Sequence, residues 1–131
     1  MPHPVMFDDA DPLLVRLRSL CLALPEVEER ISHGRPTWRV AKQFAQYGGG
    51  ERTPDGHVRH DHALLFVPEP GDVGALDQDE RFFLPAYVGP FGWRAVDLDR
   101  DDVGWDEVAE LVDASYRQVA NRRQLAALAE L

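Results

Sequence analysis

Between Asp11 and Pro25 the apolar residues Leu13, Leu17, Leu20, Cys21 and Leu24 recur at three- and four-residue spacing, which predicts one amphipathic helix. Asp11-Pro12 is a fitting start, since Asp caps free N–H groups and Pro at the first helical position loses none. Pro25 stops the helix. From Glu28 the period shortens. Arg30 to Ser32 and Thr37 to Val40 read as short strands around the turn-rich His33-Gly34-Arg35-Pro36, and Phe44 to Tyr47 as another. Gly48-Gly49-Gly50 to Gly56 predicts a flexible hairpin loop or a disordered insertion. Val58 to Val67 is the next strand, closed by Pro68 and Pro70, and Gly71 to Gln78 can hold a short helix.

Phe82 to Val88 and Trp93 to Leu98 flank Gly89-Pro90-Phe91-Gly92, a hairpin pattern in which Pro85 marks an edge or a bulge. Trp105, Val108, Val112, Tyr116 and Val119 then predict a long last helix, acidic at its start and basic towards its end. Leu125 to Leu131 either extends it or frays. The expected fold class is α+β: an N-terminal helix, a twisted antiparallel sheet, a short helix, a β-hairpin and a long C-terminal helix, with helices on one face. Residues 1–10 read as a flexible leader and 11–131 as a single domain.

Composition narrows the function classes. The 131 residues carry 14 Lys+Arg against 23 Asp+Glu, a formal net charge of −9, which opposes strong non-specific nucleic-acid binding. One cysteine, Cys21, excludes an intrachain disulfide and fits a reducing compartment. No apolar run suits a membrane span, and Met1 to Ala10 lacks the basic flank of a secretory signal, so the expected location is cytoplasmic.

The stretch Leu22-Ala23-Leu24-Pro25, then Glu28-Glu29 and Ser32-His33-Gly34-Arg35-Pro36-Thr37-Trp38-Arg39-Val40, resembles the MmcQ/YjbR family. Arg81-Phe82-Phe83-Leu84-Pro85-Ala86-Tyr87-Val88-Gly89-Pro90-Phe91-Gly92-Trp93 is similar to its central signature. Trp105-Asp106-Glu107-Val108 and Ser115-Tyr116-Arg117 are similar to its C-terminal pattern. The resemblance covers roughly residues 13–125. It implies a frataxin-like (CyaY-like) two-layer sandwich, and members are usually labelled DNA-binding on fold analogy. No catalytic residues come with it. The chain departs from the pattern at Ala86, at Asn121-Arg122 and in the long Gly48–His60 segment.

Several groups of residues can carry chemistry. The ligand or nucleic-acid candidates are Arg30, His33, Arg35, Trp38, Arg39, Tyr87 and Trp93, where arginine forks suit phosphate and aromatic faces stack bases or a flat ligand. The same residues read equally as turns, core aromatics and snorkelling arginines. His57, His60 and His62 are weak metal candidates, with His60 and His62 expected on one face of a strand. Eight acids between Asp97 and Asp113 read as a solvated loop and helix start before they read as a cation surface.

No nucleophile–base pair, phosphate loop or dinucleotide fingerprint is present, and Cys21 sits on the apolar stripe. No catalytic residue and no cofactor are expected. Residues 30–60 carry six basic and two acidic side chains, so the molecule is charge-polarised. The expected function is therefore a small module that binds DNA weakly and salt-sensitively through this basic strand and turn. The alternative is a protein or enzyme for a small anionic or aromatic ligand in the same pocket.

Overall fold

The computed structural model describes residues 4–131. Six strands, β1 (Glu28–Ser32), β2 (Arg35–Arg39), β3 (Gln43–Thr53), β4 (Gly56–Phe66), β5 (Phe82–Phe83) and β6 (Arg94–Asp97), form one antiparallel sheet. Their order is β1-β2-β3-β4-β6-β5. Four helices, α1 (Pro12–Leu22), α2 (Val73–Gln78), α3 (Trp105–Val119) and α4 (Arg122–Ala129), complete an α+β fold.

The main core explains the helix pattern. Leu14, Leu17 and Cys21 of α1 and Val108, Val112 and Tyr116 of α3 are buried against Trp38, Phe44, Tyr47, Leu64, Phe66 and Val96 of the sheet. Leu13, Leu20 and Leu24 pack at its margin. Alternation along a strand sends neighbours to opposite faces. Leu64 and Phe66 therefore meet the helices, while Ala63, Leu65 and Ala95 form a second cluster on the far face with Phe83, Val88 and Trp93. Buried polar groups are paired across elements. Ser115 Oγ of α3 donates to Phe44 O and accepts Val67 N–H, and Tyr116 OH donates to Pro25 O.

The glycine run is not a loop. Gly48, Gly49 and Gly50 lie inside β3, and the hairpin turns later, at Pro54-Asp55. The reason is steric. A Cβ on Gly48 would lie 2.1 Å from Arg35 Nη1, one on Gly49 2.9 Å from Leu65 Cδ2, and one on Gly50 2.2 Å from His57 Cε1. Side chains from neighbouring strands thus lie across a backbone groove that only glycine leaves open.

The second hairpin pairs over two residues only, Phe82↔Val96 and Phe83↔Ala95. Leu84 onward leaves the sheet, and β5 is an edge strand ending before Pro85. The last helix does not simply continue. Asn121 opens α4 with a capping box: its side chain accepts Gln124 N–H, and the Gln124 side chain accepts Asn121 N–H.

The expected leader lies partly outside the described residues, at 1–3. Residues 4–10 contain no helix or strand, yet Met6 N–H donates to Gly34 O and Phe7 packs on the core. Among the described residues no helix is long and apolar enough to cross a membrane.

Candidate functional site

The sequence candidates do not converge on one pocket. Trp38 is fully buried on the helix side, and its indole N–H donates to Glu29 Oε1 at 2.9 Å, so its ring offers no face to a ligand. Arg35 is only 6% exposed. Its Nη2 donates to Asp61 Oδ1 at 3.0 Å, while Nη1 is buried without a hydrogen-bond partner. Burial raises the Asp61 pKa, but the bonds from Arg35 and Arg59 outweigh it and hold the carboxyl below its ordinary value.

Arg39 turns back on its own chain and donates to Ala41 O, while Arg30 pairs with Glu28 at 3.0 Å. His33 occupies the exposed β1–β2 turn at φ +53°, beside Gly34 at +81°. Trp93 is half-buried over Ala63, Leu65 and Ala95. Tyr87 takes its neighbours from the β3–β4 hairpin, not from β2.

The three histidines separate. Tyr47 pairs with Leu64, but Gly49 pairs with His60, so Gly48 alone faces Asp61, His62 and Ala63 of β4. That bulge reverses the expected alternation. His60 points to the far face, where its ring stacks on Phe83 at 4.0 Å between Asp97 (Nδ1, 2.9 Å) and Glu51 (Nε2, 3.0 Å). His62 points to the helix side. Its Nδ1 lies 2.8 Å from Tyr47 OH and 3.1 Å from Asp11 Oδ2. His57 lies beside Tyr87, with ring centroids 6.5 Å apart. Among the described residues no group of three or more His, Cys, Asp or Glu is placed to hold a metal ion.

Asp11 ties the α1 start to the sheet. It accepts Leu13 N–H and the Tyr47 hydroxyl. Burial raises its pKa, but the bonds from Tyr47 and Leu13 and the nearby His62 hold it below the usual carboxylate range. Burial, with Asp11 beside it, pushes the Tyr47 hydroxyl upward.

What remains accessible is a different constellation at the tip of the β3–β4 hairpin. Tyr87 is 73% exposed, and Phe91, four residues on, is 81% exposed. The Arg52 guanidinium sits over the Tyr87 ring, 5.4 Å from its centroid. The supporting loop is pinned, because Ala86 N–H donates to Gly50 O and Gly89 N–H to Pro85 O. Tyr87 holds φ at +68°, a conformation costing a non-glycine residue about 1–3 kcal/mol. Beside it a cleft of about 330 Å³ is lined by Glu51, Arg52, Leu84, Pro85, Ala86, Tyr87 and Pro90. Sequence reasoning reached Tyr87 but not Arg52, Leu84 or Phe91, because Arg52 was hidden in what read as a loop.

Ion pairing shows which cations are committed. Arg18, Arg30, Arg35, Arg59, Arg81, Arg94, Arg100, Arg117 and Arg123 each meet a carboxylate. Among the described residues Arg39, Lys42 and Arg52 of the basic stretch do not, and of these Arg52 is the one set against an exposed aromatic ring. The acidic stretch is partly neutralised, with Arg81 on Glu107 and Arg100 on Asp102.

A family model described as YjbR matches residues 22–118, most of the chain. No curated protein matches it.

Proposed function

The chain belongs to the YjbR family, and from that premise we propose that it is a small cytoplasmic binding module that holds DNA weakly where Tyr87 meets Arg52 at the tip of the β3–β4 hairpin. One observation carries this reading: a cation with no carboxylate partner among the described residues stands over a strongly exposed aromatic ring, while most other arginines are tied to acids. An arginine in that state attracts phosphate, and the ring offers a stacking surface. The overall charge of −9 limits the number of phosphates such a surface can neutralise. The salt dependence should then be shallow, with a log–log slope of about −1 to −2 for one or two phosphate contacts.

Fluorescence anisotropy with labelled DNA at low and moderate salt tests the reading. Arg52→Ala should abolish binding. Arg117→Ala, which removes a cation of α3 paired with Asp113 and absent from the cleft lining, should leave it unchanged. Absence of binding at low salt, or full binding by Arg52→Ala, would refute it. Arg35 is unsuited to this test, because it is buried and paired with Asp61.

A further inference from the structure

We infer that the unit recognised at this tip is a single unpaired nucleobase with its adjoining phosphate, stacked on Tyr87. This rests on the binding reading above and names its ligand class. The Tyr87 ring has Arg52 over it and still exposes most of its surface. A base in a duplex is already stacked on both sides and cannot use that ring, whereas an unpaired base can. The flat face and the cation match the two parts of a nucleotide: ring on ring, guanidinium towards phosphate.

The site is also built in advance. Gly50 leaves room for the His57 ring beneath the loop, and its carbonyl accepts the Ala86 N–H. Gly89 leaves room for Leu84, whose Cγ would lie 2.7 Å from a Cβ there. The recess of about 330 Å³ sets the apolar Leu84, Pro85 and Ala86 beside Tyr87. Its one carboxylate, Glu51, lies 3.0 Å from His60 Nε2.

The same ligand chemistry has two sources, an unpaired strand or a free nucleotide, and one experiment separates them. Anisotropy is measured with a labelled eight-nucleotide single strand and with its duplex. Adenosine monophosphate is titrated separately by heteronuclear NMR. Wild type, Tyr87→Ala, Tyr87→Phe and Arg52→Ala are compared, with circular dichroism confirming that each folds.

The expected result is tighter binding of the single strand than of the duplex. Tyr87→Ala should weaken it about tenfold or more and Tyr87→Phe should retain it, since the ring carries the stacking. Equal binding of duplex and strand, unaffected by Tyr87→Ala, would overturn base recognition while leaving DNA binding standing. Binding of the mononucleotide alone would sustain base recognition and refute the DNA reading. No binding of any of the three would refute both, as would self-association that disappears in Tyr87→Ala and marks the patch as a protein contact.

Discussion

Replacing Gly48 with Ala would place a methyl group 2.1 Å from Arg35 Nη1 and 3.1 Å from Asp61 O, at a backbone φ of +82°. Two costs follow. An L-residue held at positive φ loses about 1–2 kcal/mol. The Arg35 guanidinium must also shift, which strains its bond to Asp61, and it has nowhere to find solvent, because the residue is 6% exposed and Nη1 already lacks a partner. Leaving a buried charged donor poorly satisfied costs about 1–3 kcal/mol, towards the lower end here because Asp61 is partly exposed and keeps Arg59. The sum is about 3 kcal/mol.

Urea unfolding followed by circular dichroism should show the midpoint falling by about 1.5 M, at a slope of ~2 kcal/mol/M. In an Arg35→Met background the clash disappears, and the same substitution should cost only its backbone part. If Gly48 belonged to a flexible loop, Ala would be neutral or stabilising by about 0.4–1 kcal/mol. An unchanged or raised midpoint would therefore refute the placement of the glycine run in β3.

Three further outcomes are expected. Asp11→Asn keeps a capping side chain but loses the charge that Tyr47 and His62 stabilise. Because the folded pKa of Asp11 is depressed, its contribution is present above the unfolded value of about 3.9 and lost as pH falls through the folded one. The variant should be less stable than wild type at pH 7, with the gap closing below about pH 4 in acid titrations; a gap independent of pH would contradict this.

Burial pushes the Cys21 thiol far above its ordinary pKa, so Ellman's reagent should fail to react with native protein and react fully in urea. Fast native labelling would show that α1 does not seal the core. Gly74→Ala meets open space on α2 and should raise stability by about 0.5–1 kcal/mol in thermal melts, whereas a loss would mean that α2 is not helical there.

Much of the fold was legible because its signals are local. The α1 and α3 stripes follow from helical spacing, and the capped start at Asp11 was readable from two adjacent residues. The turn expected over His33-Gly34-Arg35-Pro36 is confined to His33-Gly34, with Arg35 and Pro36 already in β2, and the segment able to hold a short helix contains α2. The failures share a cause. The glycine run looked like a loop because nothing near it in sequence shows that Arg35, Leu65 and His57 fill the space its missing side chains leave. His60 and His62 were expected on one face because period-two alternation assumes an unbulged strand, and the register shift between Tyr47 and Gly49 breaks it.

The candidate site shows the same division. Residue types and the Gly-Pro turns around Tyr87 marked the segment as able to bind, and the basic bias of residues 30–60 marked where an anion could go. Which arginine remains available was decided in three dimensions. Arg35 pairs with Asp61, 26 residues away, and Arg94 with Asp77, 17 residues away, so both are removed from any ligand. Arg52 meets Tyr87 where the loop after β5, whose Ala86 N–H donates to Gly50 O, folds back against β3. The sequence by itself determined the helical stripes, most of the strands and the family, because periodicity and capping act between neighbours along the chain. Only the tertiary structure decided the site, because burial and charge pairing are properties of residues brought together through space.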